Sequence, residues 1–250
     1  MEYDIGFCYW GLPRAIKHTY KNHENMVYNK IKVANLSYKI FMHTWSIEGD
    51  TQRVRQYNCK EKIDYDEYKL LNPDFYEINS QEDFLNSVNM NDYFYEDVWK
   101  EKGHKEKGEW LPKLVKNHIC ALGSLRNVYN MVENAVNEKG YKFKYIIFIR
   151  PDAYFTQSIQ VDKMFPLKEN TIVIPNFDHC EGYNDRFAIC NYEDANIYAE
   201  RLKDIAEFRK KKGRIVSEKY LKYTLNNAKL NIKKEGTITF KLTNPNGTKR

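Results

Sequence analysis

Arg150 and Asp152 follow directly on a run of four apolar residues, 146–149, and are separated by Pro151. Four consecutive β-forming apolar residues are typical of a strand that is buried on both faces of a sheet. Proline cannot donate a ladder hydrogen bond, so the strand must end there. Ligands of open α/β sheets bind at the carboxyl ends of the strands. A guanidinium at that place suits phosphate, and a carboxylate suits a divalent cation. The alternative is a strand end with merely structural or solvated charges.

Two other predicted strands also end in polar residues. Gly11 and Arg14 follow a first strand over residues 5–9, and glycine lets a ligand approach the backbone closely while Arg14 opens a helix, where anions bind well. A second strand over residues 38–45 ends in His43, Thr44 and Trp45. Trp45 is suited to stack on a base or a sugar ring, or to fill the core. A structural role is the other interpretation of His43.

A fourth polar group lies in residues 178–188, a loop that precedes a short apolar segment. It holds several carboxylates, of which Asp185 is the candidate general base, with Asp178 and Glu181 behind it. A solvated loop is the alternative. The Asp64-Tyr65-Asp66 triplet has the D-x-D pattern of sugar-nucleotide sites, but it does not follow an apolar strand, and we interpret it as a chance match.

The elements that must position these residues alternate between strands and helices. We predict a helix over residues 15–31 between the first two strands, a helix over 112–138, and a strand over 171–175. A helix over 195–211, a helix over 218–226 capped by Ser217, and a late strand over 237–242 follow. Such β-α-β crossovers produce parallel strands. We therefore expect one domain over residues 1–250, α/β, with a mixed, mostly parallel, Rossmann-like sheet flanked by helices.

Composition limits the classes of protein that remain. The chain has 250 residues and a net charge of +6, which favours an anionic ligand, and its densest basic run, 209–214, is typical of a helix end. Its five cysteines form no C-x-x-C pair, which predicts a reducing compartment. There is no signal peptide pattern and no apolar run long enough to cross a bilayer. These features predict a protein of the cytoplasm, or of the host cytoplasm if the source is viral.

The order of these motifs resembles a group of glycosyltransferases found in giant viruses and bacteria. The series is Gly-x-x-Arg, His-Thr-Trp, a long helix, Arg-Pro-Asp at a strand end, and Asn-Asp-Arg-Phe-Ala, and it extends over roughly residues 5 to 245. The resemblance implies a GT-A-like fold and an enzyme that moves a hexose or pentose from a nucleotide-sugar to a glycan or protein acceptor. In such enzymes an acidic strand-end motif holds Mn²⁺ or Mg²⁺ against the diphosphate. Here Arg150-Pro151-Asp152 takes that place, with arginine at its first position.

The resemblance also suggests roles for the candidate residues. Asp152 is expected to hold the metal, with Arg150 either assisting or replacing part of its charge, and Arg14 nearby. Asp185 is expected to be the base. Donor contacts are expected from Gly11, Arg14, His43, Thr44, Trp45, Arg150 and Asp152.

Two other functions remain open at this point. A catalytically silent glycan- or partner-binding module is the first, because the motif lacks the first acidic residue of D-x-D. A nucleic-acid-binding protein is the weaker second, since the basic run has no interleaved aromatic residues, and we expect no nucleic-acid partner.

Overall fold

The computed structural model describes residues 1–47, 63–93, 110–212 and 214–250. Within them, seven strands form one sheet in the order β3-β2-β1-β4-β7-β6-β8, and two short strands, β5 and β9, form a second sheet. The strands are β1 (Glu2–Trp10), β2 (Tyr38–Ser46), β3 (Phe75–Ser80), β4 (Lys142–Ile149), β5 (Ala153–Phe155), β6 (Thr171–Pro175), β7 (Phe187–Asn191), β8 (Asn231–Glu235) and β9 (Phe240–Leu242). In the large sheet β7 runs antiparallel to both of its neighbours, and the other pairs are parallel.

Helices lie between these strands and cover the sheet. They are α1 (Ile16–His23), α2 (Asn29–Val33), α3 (Gln81–Asn86), α4 (Trp110–Lys139), α5 (Val161–Met164), α6 (Ala195–Ala199), α7 (Ile205–Lys212) and α8 (Ser217–Asn227). The predicted mixed, mostly parallel sheet flanked by helices is confirmed. Among the residues that the structure describes, no helix is long and apolar enough to cross a membrane.

The central strand β4 is buried on both faces, as its apolar run predicts. Ile146 and Phe148 belong to one hydrophobic cluster, and Ile147 and Ile149 belong to the other. Helix α4 covers the first cluster with an apolar stripe, and α1 and α2 cover the second. Alternation along the strand thus sends successive side chains into two separate cores. The strand itself is held in place from both sides.

Three predictions about local structure are corrected. The helix predicted over 195–211 is broken into α6 and α7, because the buried Arg201 side chain donates from Nε to the Tyr198 carbonyl oxygen at 2.8 Å and takes the place of a helical amide. Ser217 does not cap α8, since its hydroxyl donates to Glu218 and Val216 is the N-cap residue. The late strand is only three residues long.

The register of the sheet brings three chain segments to one edge. Tyr9 of β1 lies opposite Ile149 of β4, so the residues that follow both parallel strands emerge side by side. Because β7 is antiparallel, Ile149 also lies opposite Phe187, at the beginning of β7. The backbone amide of Arg150 accordingly donates to the Arg186 carbonyl oxygen at 3.3 Å. The end of the 178–186 loop therefore meets the Arg-Pro-Asp turn.

Candidate functional site

A buried carboxylate between two arginines forms the centre of the candidate site. Asp152 is 2% exposed, and its oxygens accept hydrogen bonds from Arg150 Nε at 2.9 Å and Arg150 Nη2 at 2.7 Å. Arg14, from the turn after β1, donates to the same carboxylate from Nη2 at 3.2 Å and from Nε at 3.4 Å. One negative charge thus faces two positive charges. This trio of Arg14, Arg150 and Asp152 carries a net charge of about +1, since arginine stays protonated.

The two guanidinium groups keep Asp152 ionised. Burial alone raises the pKa of a carboxyl group, but the charges of Arg150 and Arg14 outweigh it and lower the pKa of Asp152 to about 2. Arg250 adds a further positive charge nearby. The carboxylate therefore fixes the direction of both arginine side chains at neutral pH.

Helix α1 and the neighbouring strands hold the turn rigidly. Thr19 Oγ1 donates to the Pro151 carbonyl oxygen at 2.7 Å, and His23 Nε2 contacts the Ala153 carbonyl oxygen at 2.5 Å. The amide of Thr243 donates to the carbonyl oxygen of Asp152 at 2.8 Å. Both sides of the turn are thereby tied to separate elements. Such fixed donors and acceptors are what a site for a charged ligand requires.

A cavity of about 650 Å³, lined by both polar and apolar residues, opens beside Arg150, whereas Arg14 and Asp152 do not line it. Arg150 lines it at the carboxyl end of β4, and Asp185 lines it from the loop before β7. The wall opposite is made by α4 and by the beginning of α8, which contributes Glu218. Ligand sites typically have volumes of about 300–1,000 Å³. The cavity is therefore large enough for a small organic ligand with charged groups.

The loop before β7 has a strained backbone. The backbone φ angles of Asp178, Cys180 and Glu181 are all positive, between 44° and 67°. Residues other than glycine rarely adopt such angles. Asp178 pairs with Arg186 at 2.9 Å and lines the cavity, while Glu181 is exposed and pairs with Lys219. Of the three predicted base candidates, Asp185 and Asp178 thus lie in the cavity wall. Glu181 points its charge towards Lys219.

Gly182 fixes this loop against α8, and we expect its replacement to be costly. A Cβ atom there would collide with the backbone carbonyl group of Glu218, whereas a Cβ at Gly236 would meet no atom within 4 Å. The Gly182→Ala variant is expected to lower the free energy of unfolding by about 1–3 kcal/mol, because backbone must move to admit the methyl group. Urea denaturation of this variant and of the Gly236→Ala control measures the difference. Equal stabilities would contradict this packing of the loop on α8.

The residues at the end of β2 are buried in the core. His43 Nδ1 lies 2.8 Å from Ser124 Oγ, and its Nε2 lies 2.8 Å from Asn79 Oδ1. Burial lowers the pKa of His43 to about 4. Trp45 is 2% exposed and donates from Nε1 to the Cys120 carbonyl oxygen, and Thr44 is also buried. None of the three lines the cavity. Their predicted contact with a donor stays a prediction.

Gly11 and Arg14 leave β1 in different directions. The amide of Gly11 donates to Ser124 Oγ at 2.8 Å, which joins it to the hydrogen-bond network of His43. Its φ of +97° is the left-handed conformation that glycine tolerates. Arg14 turns instead to Asp152. Of the two residues, only Arg14 joins the trio.

A divalent cation fits poorly at Asp152. Both carboxylate oxygens already accept from guanidinium groups. Nowhere in the four described ranges do three His, Cys, Asp or Glu side chains cluster in a way that could hold a metal ion. Hard cations need several oxygen ligands and negative charge, and here the surplus charge is positive. The donor set is suited to an anion.

Two of the residues that line the cavity were not predicted from the sequence. Trp10 ends β1, and its ring lies 6.0 Å from Arg150 Cζ. His118 lies on α4. Both line the cavity, and the Nε1 atom of Trp10 and the Nε2 atom of His118 are buried without a hydrogen-bond partner within the described residues. The signal for Trp10 was its place just before Gly11 at a strand end. His118 adjoins the apolar stripe of α4 and gave no such signal.

One family model matches the second half of the chain. It is described as a domain of unknown function, DUF7796, and it matches residues 122–243. No curated protein sequence matches the chain.

Three solved structures that are similar to this chain are glycosyltransferases. One is involved in the glycosylation of the major capsid of PBCV-1 (TM-score 0.40, 7% identity, 93% of this chain and 82% of that chain). The second is GlyE of Streptococcus pneumoniae (TM-score 0.38, 9% identity, 94% of this chain and 45% of that chain). The third is mouse xyloside xylosyltransferase 1 in its apo form (TM-score 0.41, 9% identity, 94% of this chain and 85% of that chain).

Proposed function

We propose that the chain is a glycosyltransferase that takes a sugar from a nucleotide-sugar donor and passes it to a hydroxyl group of a glycan or protein acceptor. The observation that carries this proposal is the trio of Arg14, Arg150 and Asp152 at the carboxyl ends of β1 and β4, from which Arg150 lines the cavity. That edge of an α/β sheet is where phosphorylated ligands bind. The surplus positive charge supports a diphosphate as the bound group.

The arginines have a direct role in the proposed reaction. When the bond between the sugar C1 and the diphosphate oxygen breaks, negative charge grows on the leaving diphosphate. Arg150 and Arg14 neutralise it, and they need no reorganisation because Asp152 already orients them. Asp152 is then a positioning residue. Assistance by Mn²⁺ or Mg²⁺ remains the sequence-based prediction, and the proposed roles of these three residues do not depend on it.

The acceptor hydroxyl must also lose its proton if the reaction inverts the sugar. Asp185 is the sequence-based candidate for this base, and it lies in the cavity wall on the side of β7.

A thermal-shift panel with UDP, GDP, CMP and dTDP and their sugars tests the proposal. Each is measured with Mn²⁺ and with EDTA. A ligand that binds only the folded chain stabilises it by about 2.7 kcal/mol at a hundred times its dissociation constant. We expect a rise in melting temperature with one nucleotide class, in EDTA as well as in Mn²⁺. A shift that requires Mn²⁺ would support a metal ion bound at Asp152. The absence of any shift on folded protein would favour the silent glycan-binding module.

A further inference from the structure

His118 has a ring nitrogen that is closed to solvent in the wall of the cavity. Its Nε2 atom is buried and has no hydrogen-bond partner within the described residues, although the residue lines the cavity from α4. Tyr220 of α8 lies nearly perpendicular to the ring, with the two ring centroids 6.4 Å apart. A buried polar atom without a partner is costly, and a catalytic role is one of the reasons for which natural proteins keep such an atom.

The surroundings keep the ring neutral, with one nearby charge acting in the opposite direction. Burial, with a smaller contribution from the charge of Arg201, lowers the pKa of His118 to about 4. The carboxylate of Asp185 acts in the opposite direction and stabilises the protonated ring. Tyr220 faces the ring with its edge. At neutral pH the imidazole is therefore able to accept a proton, and Asp185 is placed to offset the resulting charge.

Asp185 shares the cavity with this histidine and with Arg150. Its charge acts on Arg150 and also on His118, and all three residues line the one cavity. A donor whose diphosphate lies at Arg150 would direct its sugar into the cavity, towards the α4 wall. A hydroxyl group next to the sugar would then face the part of the cavity wall that holds His118.

We propose that His118 is the catalytic base that takes the proton of the acceptor hydroxyl, with Asp185 as the positioning carboxylate that stabilises the imidazolium. This inference rests on the proposed glycosyltransferase function. The acceptor O–H bond breaks and its proton moves to Nε2. The acceptor oxygen forms the new bond to the sugar C1. The C1–O bond to the diphosphate breaks, and its electron pair leaves with the diphosphate beside Arg150 and Arg14.

The test compares His118→Gln with His18→Gln, since His18 is exposed on α1 and outside the cavity. The probe is the nucleotide-sugar that gives the largest thermal shift, with water as the acceptor, and the readout is release of nucleoside diphosphate. We expect kcat of His118→Gln to fall at least about 100-fold, the usual range for a lost general base. Nucleotide affinity should change less than about threefold, and His18→Gln should match wild type. Added imidazole should restore part of the rate in His118→Ala.

A second pair of variants separates His118 from Asp185. With Asp185 in the positioning role, Asp185→Asn should retain more activity than His118→Gln. The inference fails if Asp185→Asn is inactive while His118→Gln turns over normally, because Asp185 would then be the base. If either histidine variant is unfolded by circular dichroism, the Asp185→Asn rate and its pH profile decide. Failure of the proposed function looks different: wild type itself would bind no nucleotide and release no diphosphate.

Discussion

Replacing Arg150 with glutamine is expected to lower donor turnover by about 100- to 1,000-fold, the cost of removing one preorganised donor to a developing negative charge. Arg150 makes two of the hydrogen bonds to Asp152 and lines the cavity. Its guanidinium group is therefore held where the diphosphate is proposed to leave. Glutamine keeps a polar amide group but is shorter than arginine and carries no charge. The measurement is kcat/KM for release of nucleoside diphosphate from the donor that binds.

A matched arginine controls for a general loss of positive charge. Arg126 is exposed on α4 and lies outside the cavity, so Arg126→Gln should turn over like wild type. The Arg150→Lys variant keeps the charge but loses the two-pronged contact with Asp152, and we expect an intermediate rate. Wild-type turnover in Arg150→Gln, on protein of normal melting temperature, would remove Arg150 from the site.

Replacing Asp152 with asparagine is expected to cost about 3–5 kcal/mol of stability near neutral pH, as for other buried ion pairs that lose one partner. Two guanidinium groups would be left in a buried place without their counter-charge. The loss of stability in Asp152→Asn relative to wild type should depend on pH. The pKa of Asp152 is about 2 in the folded chain against an ordinary value of 3.8, so the carboxylate stabilises the fold above about pH 4. That contribution, about 2 kcal/mol from 1.36 kcal/mol per unit, is lost as pH falls towards 2.

Urea denaturation measures how the free energy of unfolding of wild type and of Asp152→Asn depends on pH. The series runs from about pH 6 down to about pH 2.5, the range in which the carboxyl group titrates. The gap between the two free energies of unfolding should narrow as the pH falls, because wild-type Asp152 gains its proton. Asp162→Asn is the control, since Asp162 is exposed on α5, and we expect it to follow wild type at every pH. A gap that stays constant across the range would contradict the ion pairing of Asp152.

The sequence predicted the framework of the fold from short patterns. The apolar run before Arg150 predicted a doubly buried strand, and β4 is one. Strands β5 and β8 were not predicted, because Asn231–Glu235 contains three charged residues and Ala153–Phe155 has only three residues. The break between α6 and α7 depends on the contact of Arg201 with Tyr198, which hydrophobic periodicity does not report.

The candidate site was predictable only where chemistry follows a strand end. Arg150 and Asp152 stood out because proline stops their strand, and Arg14 because glycine precedes it. The pairing of these three could not be foreseen, since it depends on the register between β1 and β4. His43 and Trp45 also lie at the end of a strand, yet their partners lie on α4 and β3 and hold them in the core. His118 lies on α4, far from any strand end, and comes to the cavity beside Tyr220 of α8.

The central claim is tested most directly by titrating wild-type protein with a nucleoside diphosphate, once in EDTA and once in Mn²⁺. The ligand is the nucleoside diphosphate that gives the largest thermal shift. The claim is that two arginines held by Asp152 bind the diphosphate. Calorimetry should give the same dissociation constant, within about threefold, in both buffers, and Arg150→Gln should weaken binding at least about tenfold, the equivalent of about 1.4 kcal/mol. Binding that disappears in EDTA, or that is unchanged in Arg150→Gln, would contradict it.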